Sequence, residues 1–179
     1  NYPKAIEQYA TLLREQFESP DLWIGFIDSA SSAPDKLVGA NKDLVIQIHD
    51  RIAPDLKDPR RLSRLAWVMV RVAEIAKANT LLTRAVTAEP QQPAVRKELA
   101  GVLAAVDRRR EAIDMLMPDF VYQTLDGKDI LVLADLYAAE GEMDKAEFHL
   151  ARFITEKSEK NHRIRYGSRL LWNQKYRKA

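Results

Sequence analysis

Apolar residues along this chain recur at two spacings at once. Over short stretches they fall at i, i+1 and i+4, as in Leu65, Ala66 and Met69, or at i, i+4 and i+7, as in Ala78, Leu82 and Ala85. Either spacing marks one face of an α-helix. Over longer stretches the whole pattern returns every 34 residues. That shift aligns Leu65, Leu99 and Leu133, with Ala66, Ala100 and Ala134 beside them. It also aligns Met69, Leu103 and Tyr137, then Ala78, Ala112 and Ala146, then Leu82, Leu116 and Leu150. Five columns agreeing over three copies predict a repeated structural unit rather than one irregular core.

Each copy reads as two helices around a short polar turn. The turn is clearest at Glu140-Gly141-Glu142, where glycine can end a helix in the left-handed conformation. Alanines on both facing stripes let the helices approach closely, so each copy is predicted to be an antiparallel hairpin. Asp58 is placed to cap a helix that has Pro59 at its first position, and Asp126-Gly127 makes a turn before another. The expected fold is therefore all-α, with about nine to ten helices in antiparallel pairs and essentially no strand.

These residues resemble the tetratricopeptide repeat family. The copy 59–92 fills each slot of that motif with Leu62, Leu65, Ala66, Met69, Ala78, Leu82, Ala85 and Pro90. The copy 93–126 departs at Arg96 and Asp119. The copy 127–160 has Ile130, Leu133, Ala134, Tyr137, Ala146 and Leu150, but Phe153 and Ser158 in the last two slots. A divergent copy, 20–58, starts at Pro20-Asp21 with Trp23, Phe26 and Ile27 and runs about five residues long. Its extra length is expected in a loop over Ser29 to Pro34, and its second helix is expected to hold Leu44, Ile48 and Ile52. Partial copies are expected at 1–19, with Tyr2, Ala5, Ile6 and Tyr9, and at 161–179, with Ile164 and Leu171. Stacked repeats normally end in polar capping units, so both ends read as cut from a longer single array.

The resemblance implies a right-handed superhelical solenoid whose first helices line a concave ligand face. Carried over position by position, that face would hold Arg60, Ser63, Arg64, Trp67 and Arg71 from the best copy. The next copy would add Lys97, Glu98, Gly101 and Ala105, and the third Lys128, Leu131, Asp135 and Ala139. The last partial copy would add His162, Arg165, Tyr166, Arg169 and Trp172. Arginines interleaved with aromatic rings suit a carboxylate-bearing or acidic ligand, through charge-assisted bonds and stacking. On this reading Arg64 and Arg71 bind the ligand, and their loss leaves the melting temperature nearly unchanged. The Lys/Asn carboxylate clamp of chaperone-tail-binding repeats is not reproduced, because Trp67, Glu98 and Lys128 occupy its places.

Composition narrows the chemistry. The chain has 179 residues, 46% of them hydrophobic and 30% charged, and no Cys. Disorder, disulfide frameworks and thiol chemistry are thereby excluded, and no apolar run is long enough to span a bilayer. The net charge of +2 hides an asymmetry, since 161–179 carries six basic groups and no acid. His49, His149 and His162 have no metal-ligand spacing, and no phosphate-cradling or nucleophile motif is present. No catalytic residue, metal or cofactor is expected, and His149 reads as a packed structural histidine.

Two functions are consistent with these observations. The first is a non-catalytic scaffold that docks a segment of a protein partner on the first-helix face. The second is the periplasmic repeat region of a bacterial outer-membrane exopolysaccharide secretion protein. That alternative would bind an anionic polysaccharide or polymer-modifying enzymes, and it places the chain in the cell envelope, whereas the first leaves the compartment open. Nucleic-acid binding through the basic tail lacks a recognised module.

Overall fold

The computed structural model describes residues 2–121 and 125–153, and beyond them 164, 167, 168 and 171. Among the described residues ten helices follow in order: α1 (Tyr2–Glu15), α2 (Pro20–Ser32), α3 (Asp35–Ala40), α4 (Lys42–Ile52), α5 (Pro59–Arg71), α6 (Ile75–Thr87), α7 (Pro93–Ala105), α8 (Arg109–Val121), α9 (Gly127–Ala139) and α10 (Met143–Phe153). There is no strand among the described residues.

The chain forms two compact units, one ending at Val102 and the other starting at Leu103. In the first unit α1 packs on α2, α5 pairs with α6, and α2, α3 and α4 all lie against α5. In the second, α9 packs against both α8 and α10. The five repeat columns supply both cores. Leu65, Ala66, Met69, Ala78, Leu82, Leu99 and Ala100 are buried in the first unit. Leu103, Ala112, Leu116, Leu133, Ala134, Tyr137, Ala146 and Leu150 are buried in the second. The predicted all-helical repeat architecture is thus present, and its period is carried by core residues.

The turn between paired helices repeats as faithfully as the core. Ala73, Asp107 and Gly141, spaced by one period, have φ of 63°, 66° and 78°. In each case the next amide reaches back to close the helix: Glu74 N–H to the Met69 carbonyl, Arg108 N–H to Leu103, and Glu142 N–H to Tyr137, all at 2.9 Å. This is the left-handed helix ending expected at Gly141, and two copies make it with residues that carry a Cβ. Helix starts also follow the sequence. Asp58 accepts from the Arg61 amide at 2.8 Å. Asp126 accepts from the Lys128 and Asp129 amides, and Asp129 returns the bond to the Asp126 amide at 3.3 Å, a reciprocal capping box.

The divergent copy differs from expectation. Ser29 to Ser32 are not a loop; they form the last turn of α2. Ser29, Ala30 and Ala33 are buried there, and Ser31 Oγ donates to the Asp28 carbonyl at 2.8 Å. The helix stops only because Pro34 forces Ala33 into an extended conformation. The extra residues instead make α3, which breaks from α4 at Asn41, whose side chain donates to the Leu37 carbonyl at 2.9 Å. Of the apolar residues expected in the second helix, Ile48 is fully buried, while Leu44 and Ile52 are half-buried and Val45 joins the core. In α1 the buried stripe is Ile6, Ala10 and Leu13, and Tyr9 lies over Gly25 instead. A Cβ on Gly25 would stand 2.5 Å from Tyr9 Cζ, so this contact requires glycine. Ile164 and Leu171 are helical but more than half exposed, so they add nothing to the core.

Candidate functional site

The outward stripe of α5 carries Arg60, Arg64, Trp67 and Arg71, at i, i+4, i+7 and i+11 of one helix. Asp58, Pro59 and the apolar face of Leu62, Leu65, Ala66 and Met69 fix the rotation of that helix and therefore the direction of the stripe. Each stripe residue meets a group roughly one repeat away. Arg64 donates through Nη1 to Asp28 Oδ1 at 2.7 Å and through Nε to Glu98 Oε1 at 2.9 Å. Arg60 Nε reaches the other Glu98 oxygen at 3.3 Å. Trp67 Nε1 donates to the Ser31 carbonyl at 3.1 Å. Arg71 donates through Nε to Asp35 Oδ1 at 2.7 Å and through Nη1 to the Ala30 carbonyl at 2.5 Å, while its Nη2 takes the Ala33 carbonyl.

These contacts change the chemistry read from the sequence. The arginine stripe suggests that Arg64 and Arg71 are open to a ligand carboxylate, but the structure already gives them carboxylates and helix-end carbonyls from the same chain. The Arg71 side chain is only 7% exposed and its guanidinium lies 5.9 Å from the Trp67 ring. The bond that Arg64 donates to Asp28, with Glu98 adding to it against partial burial, raises the Arg64 pKa above its ordinary value. Arg64, a cation as every arginine is, thus lies inside a row of acids. Through these bonds Arg64 and Arg71 tie α5 to α2 and to α7, which argues against an unchanged melting temperature on removing them.

Beside this row lies an open cleft of about 460 Å³. Ser31 and Ser32 of α2 form one side, Arg64 and Trp67 of α5 the back, and Glu98, Gly101 and Val102 of α7 the other side. Gly101 is exposed, and a Cβ added there would meet nothing within 4 Å. The α7 wall is thus an unfilled helix surface facing a half-exposed indole.

The remaining expected residues are distributed as follows. Lys97 is half-buried, whereas Lys128, Asp135 and Ala139 are exposed on their helices. Ser63 and Leu131, carried over as ligand-face positions, are buried, because both turn toward the apolar side of their helices. His162, Arg165, Tyr166, Arg169 and Trp172 lie outside the described residues. Asp28, Ser31 and Asp35 belong to the site although the repeat motif does not point to them. For the acids a signal exists, since Asp28 and Arg64 are 36 residues apart and Arg64 and Glu98 are 34 apart, opposite charges near one repeat period.

His149 is 4% exposed in the second unit. Its ring stacks on Tyr137 at 5.1 Å and meets Phe120 edge-on at 4.3 Å, as a packed aromatic does. Among the described residues no group of His, Asp and Glu is arranged to hold a metal ion, and no helix is long and apolar enough to cross a membrane.

Comparison with known proteins points to the same repeat. No protein-family model matches the chain. A TPR repeat-containing thioredoxin, TTL4 of Arabidopsis thaliana, is 30% identical over 100 residues, which is 56% of this chain and 15% of that protein. The chain thus spans a small part of that relative's length. Among solved structures, TTC0263, a thermophilic TPR protein of Thermus thermophilus, superposes with a TM-score of 0.57 at 18% identity, covering 95% of this chain and 91% of the other. MamA AMB-1 superposes with a TM-score of 0.53 at 21% identity, covering 91% and 94%. The chain has the tetratricopeptide-repeat fold.

Proposed function

We propose that this chain is a non-catalytic protein-interaction scaffold that docks a segment of a partner in the cleft between α2, α5 and α7. The fold supplies the general reading, since repeat arrays of this type offer the faces of successive first helices as a surface. The observation that carries the proposal is the Gly101 wall opposite Trp67. A helix interior without a side chain costs about 1 kcal/mol relative to alanine. Here it leaves open a space of about 460 Å³ that includes an indole. Partially exposed tryptophan beside a rigid, hydrogen-bonded frame is the usual anchor of a protein interface. The cations of this face are held by its own carboxylates, which favours a protein segment over an anionic polysaccharide.

The test is to fill the cleft without touching the core. Gly101→Trp starts from a Cβ position with nothing within 4 Å, adds a large ring at the cleft wall and replaces a poor helix former. The expected result is an unchanged or slightly higher melting temperature together with loss of partner capture. Retained capture by a folded Gly101→Trp protein would remove the cleft as the docking site.

A further inference from the structure

The charge of this face as a partner meets it is not the charge read from its sequence. Arg60, Arg64 and Arg71 suggest a basic surface, yet the guanidinium groups lie inward and the carboxylates outward. The Arg71 side chain is 7% exposed against 87% for Asp35, its ion-pair partner. Arg64 is 27% exposed against 44% for Asp28. Only Arg60, at the far end of the stripe, reverses the order, with 50% against 28% for Glu98. Asp28 and Asp35 each meet their arginine through a single oxygen, Oδ1, and a carboxylate has about four acceptor sites to offer. They flank Ser31 and Ser32, the α2 side of the cleft. Against it stands Trp67, whose indole N–H donates to the Ser31 carbonyl and whose apolar ring suits the stem and head of a long cationic side chain.

We infer that the segment docked in this cleft is basic: a lysine or arginine of the partner lies along the Trp67 ring and directs its charge to Asp28 and Asp35, with an apolar neighbour against the Gly101 wall. The inference rests on the docking proposal above and fixes its ligand class, opposite to the acidic ligand that the arginine stripe suggests. An acidic segment would bring its charge against two exposed carboxylates, while the cations that would receive it already have partners.

Selection of random dodecapeptides displayed on phage, with the full chain as bait, tests this directly. Enriched peptides are then synthesised and titrated against wild type, Asp28→Asn, Asp35→Asn, the double variant Asp28→Asn/Asp35→Asn, and Gly101→Trp. The expected peptides carry Lys or Arg next to an apolar residue and do not bind Gly101→Trp. The Asp35→Asn change should weaken them by about threefold and the double aspartate variant by about tenfold, in line with solvent-exposed charge pairs. Added salt should weaken them as well, because exposed pairs are screened. Asp35 is so exposed that its variant keeps the fold, which thermal melting checks, so a loss there reads binding rather than unfolding. Acidic peptides that are lost in Gly101→Trp would overturn the basic-ligand inference and leave the cleft standing. Peptides that bind Gly101→Trp as well as wild type, or no enrichment at all, would overturn both.

Discussion

Replacing Arg71 by alanine should destabilise the chain far more than a surface arginine would. Its side chain is 7% exposed and makes three bonds, to Asp35 Oδ1 and to the carbonyls of Ala30 and Ala33. The Asp35 bond faces water and is worth at most about 1 kcal/mol. The two carbonyl bonds weigh more, since Ala30 is fully buried and Ala33 is 5% exposed, so water replaces the lost donor incompletely. A hydrogen bond from a charged group contributes about 1.5–3 kcal/mol, and two that share one guanidinium and are partly rehydrated give roughly 2–4 kcal/mol together. For a chain of this size that is a fall in melting temperature of about 4–16 °C. Asp35→Asn, which removes only the exposed pair, should lower it by about 4 °C or less. Arg71→Lys should fall near alanine, because one ammonium cannot span three acceptors. Circular dichroism melts and urea titrations of the three variants read these differences. An Arg71→Ala protein that melts with wild type, or an Asp35→Asn protein as damaged as Arg71→Ala, would refute the assignment of the stabilisation to the α2 carbonyls.

Three further changes follow from the same structure. Ser63 is fully buried and its hydroxyl has no hydrogen-bond partner, so Ser63→Ala should raise stability by about 1 kcal/mol, seen as a higher urea midpoint at unchanged slope. Ala73 holds φ at 63°, where a Cβ costs about 1–2 kcal/mol; after the entropy that glycine adds to the unfolded chain, Ala73→Gly should gain about 0.5–1 kcal/mol, and a loss would contradict the left-handed turn. Acidification should destabilise the fold: Arg108 holds the Glu111 carboxyl below its ordinary 4.5, and Lys145 and then Arg110 do the same for Glu142. A depressed folded pKa gives stability that is complete above about pH 4.5 and is lost as pH falls toward the lower folded value. Urea midpoints measured between neutral pH and pH 3 should therefore drop below about pH 4.5, and less steeply in Glu111→Gln.

The fold is legible because its repeat is written in core residues. Leu99 or Ala112 can sit only where a neighbouring helix comes close, so their 34-residue spacing transmits helix pairing directly. The left-handed turn is legible only at Gly141. Ala73 adopts it with a residue that does not favour it, and Asp107 with one that only tolerates it, because the paired helices on either side determine the backbone between them. The stretch Ser29 to Ser32 reads as a loop and folds as a helix for a related reason. Serine favours turns and caps while alanine favours helix, so the local composition is mixed, and burial of Ser29, Ala30 and Ala33 decides for helix.

Charged residues are harder to read than apolar ones, and the difference is physical. Periodicity says which face of a helix a residue occupies; it does not say whether the group across from it is water or a carboxylate. For Arg64 and Arg71 that distinction decides everything: in water each is a ligand anchor, whereas next to Asp28 and Asp35 each is a brace between neighbouring helices. The missing information is itself periodic. In a stacked array a residue on one first helix faces the next one about 34 residues away, and the pairs here are separated by 34, 36 and 38. Opposite charges at that offset mark internal seams, and a first-helix position left as glycine, as at Gly101, marks the gap beside them. Once the charges that belong to the seams are set aside, Trp67, Gly101 and the outward carboxylates of Asp28 and Asp35 are what this face leaves for the docking proposed above.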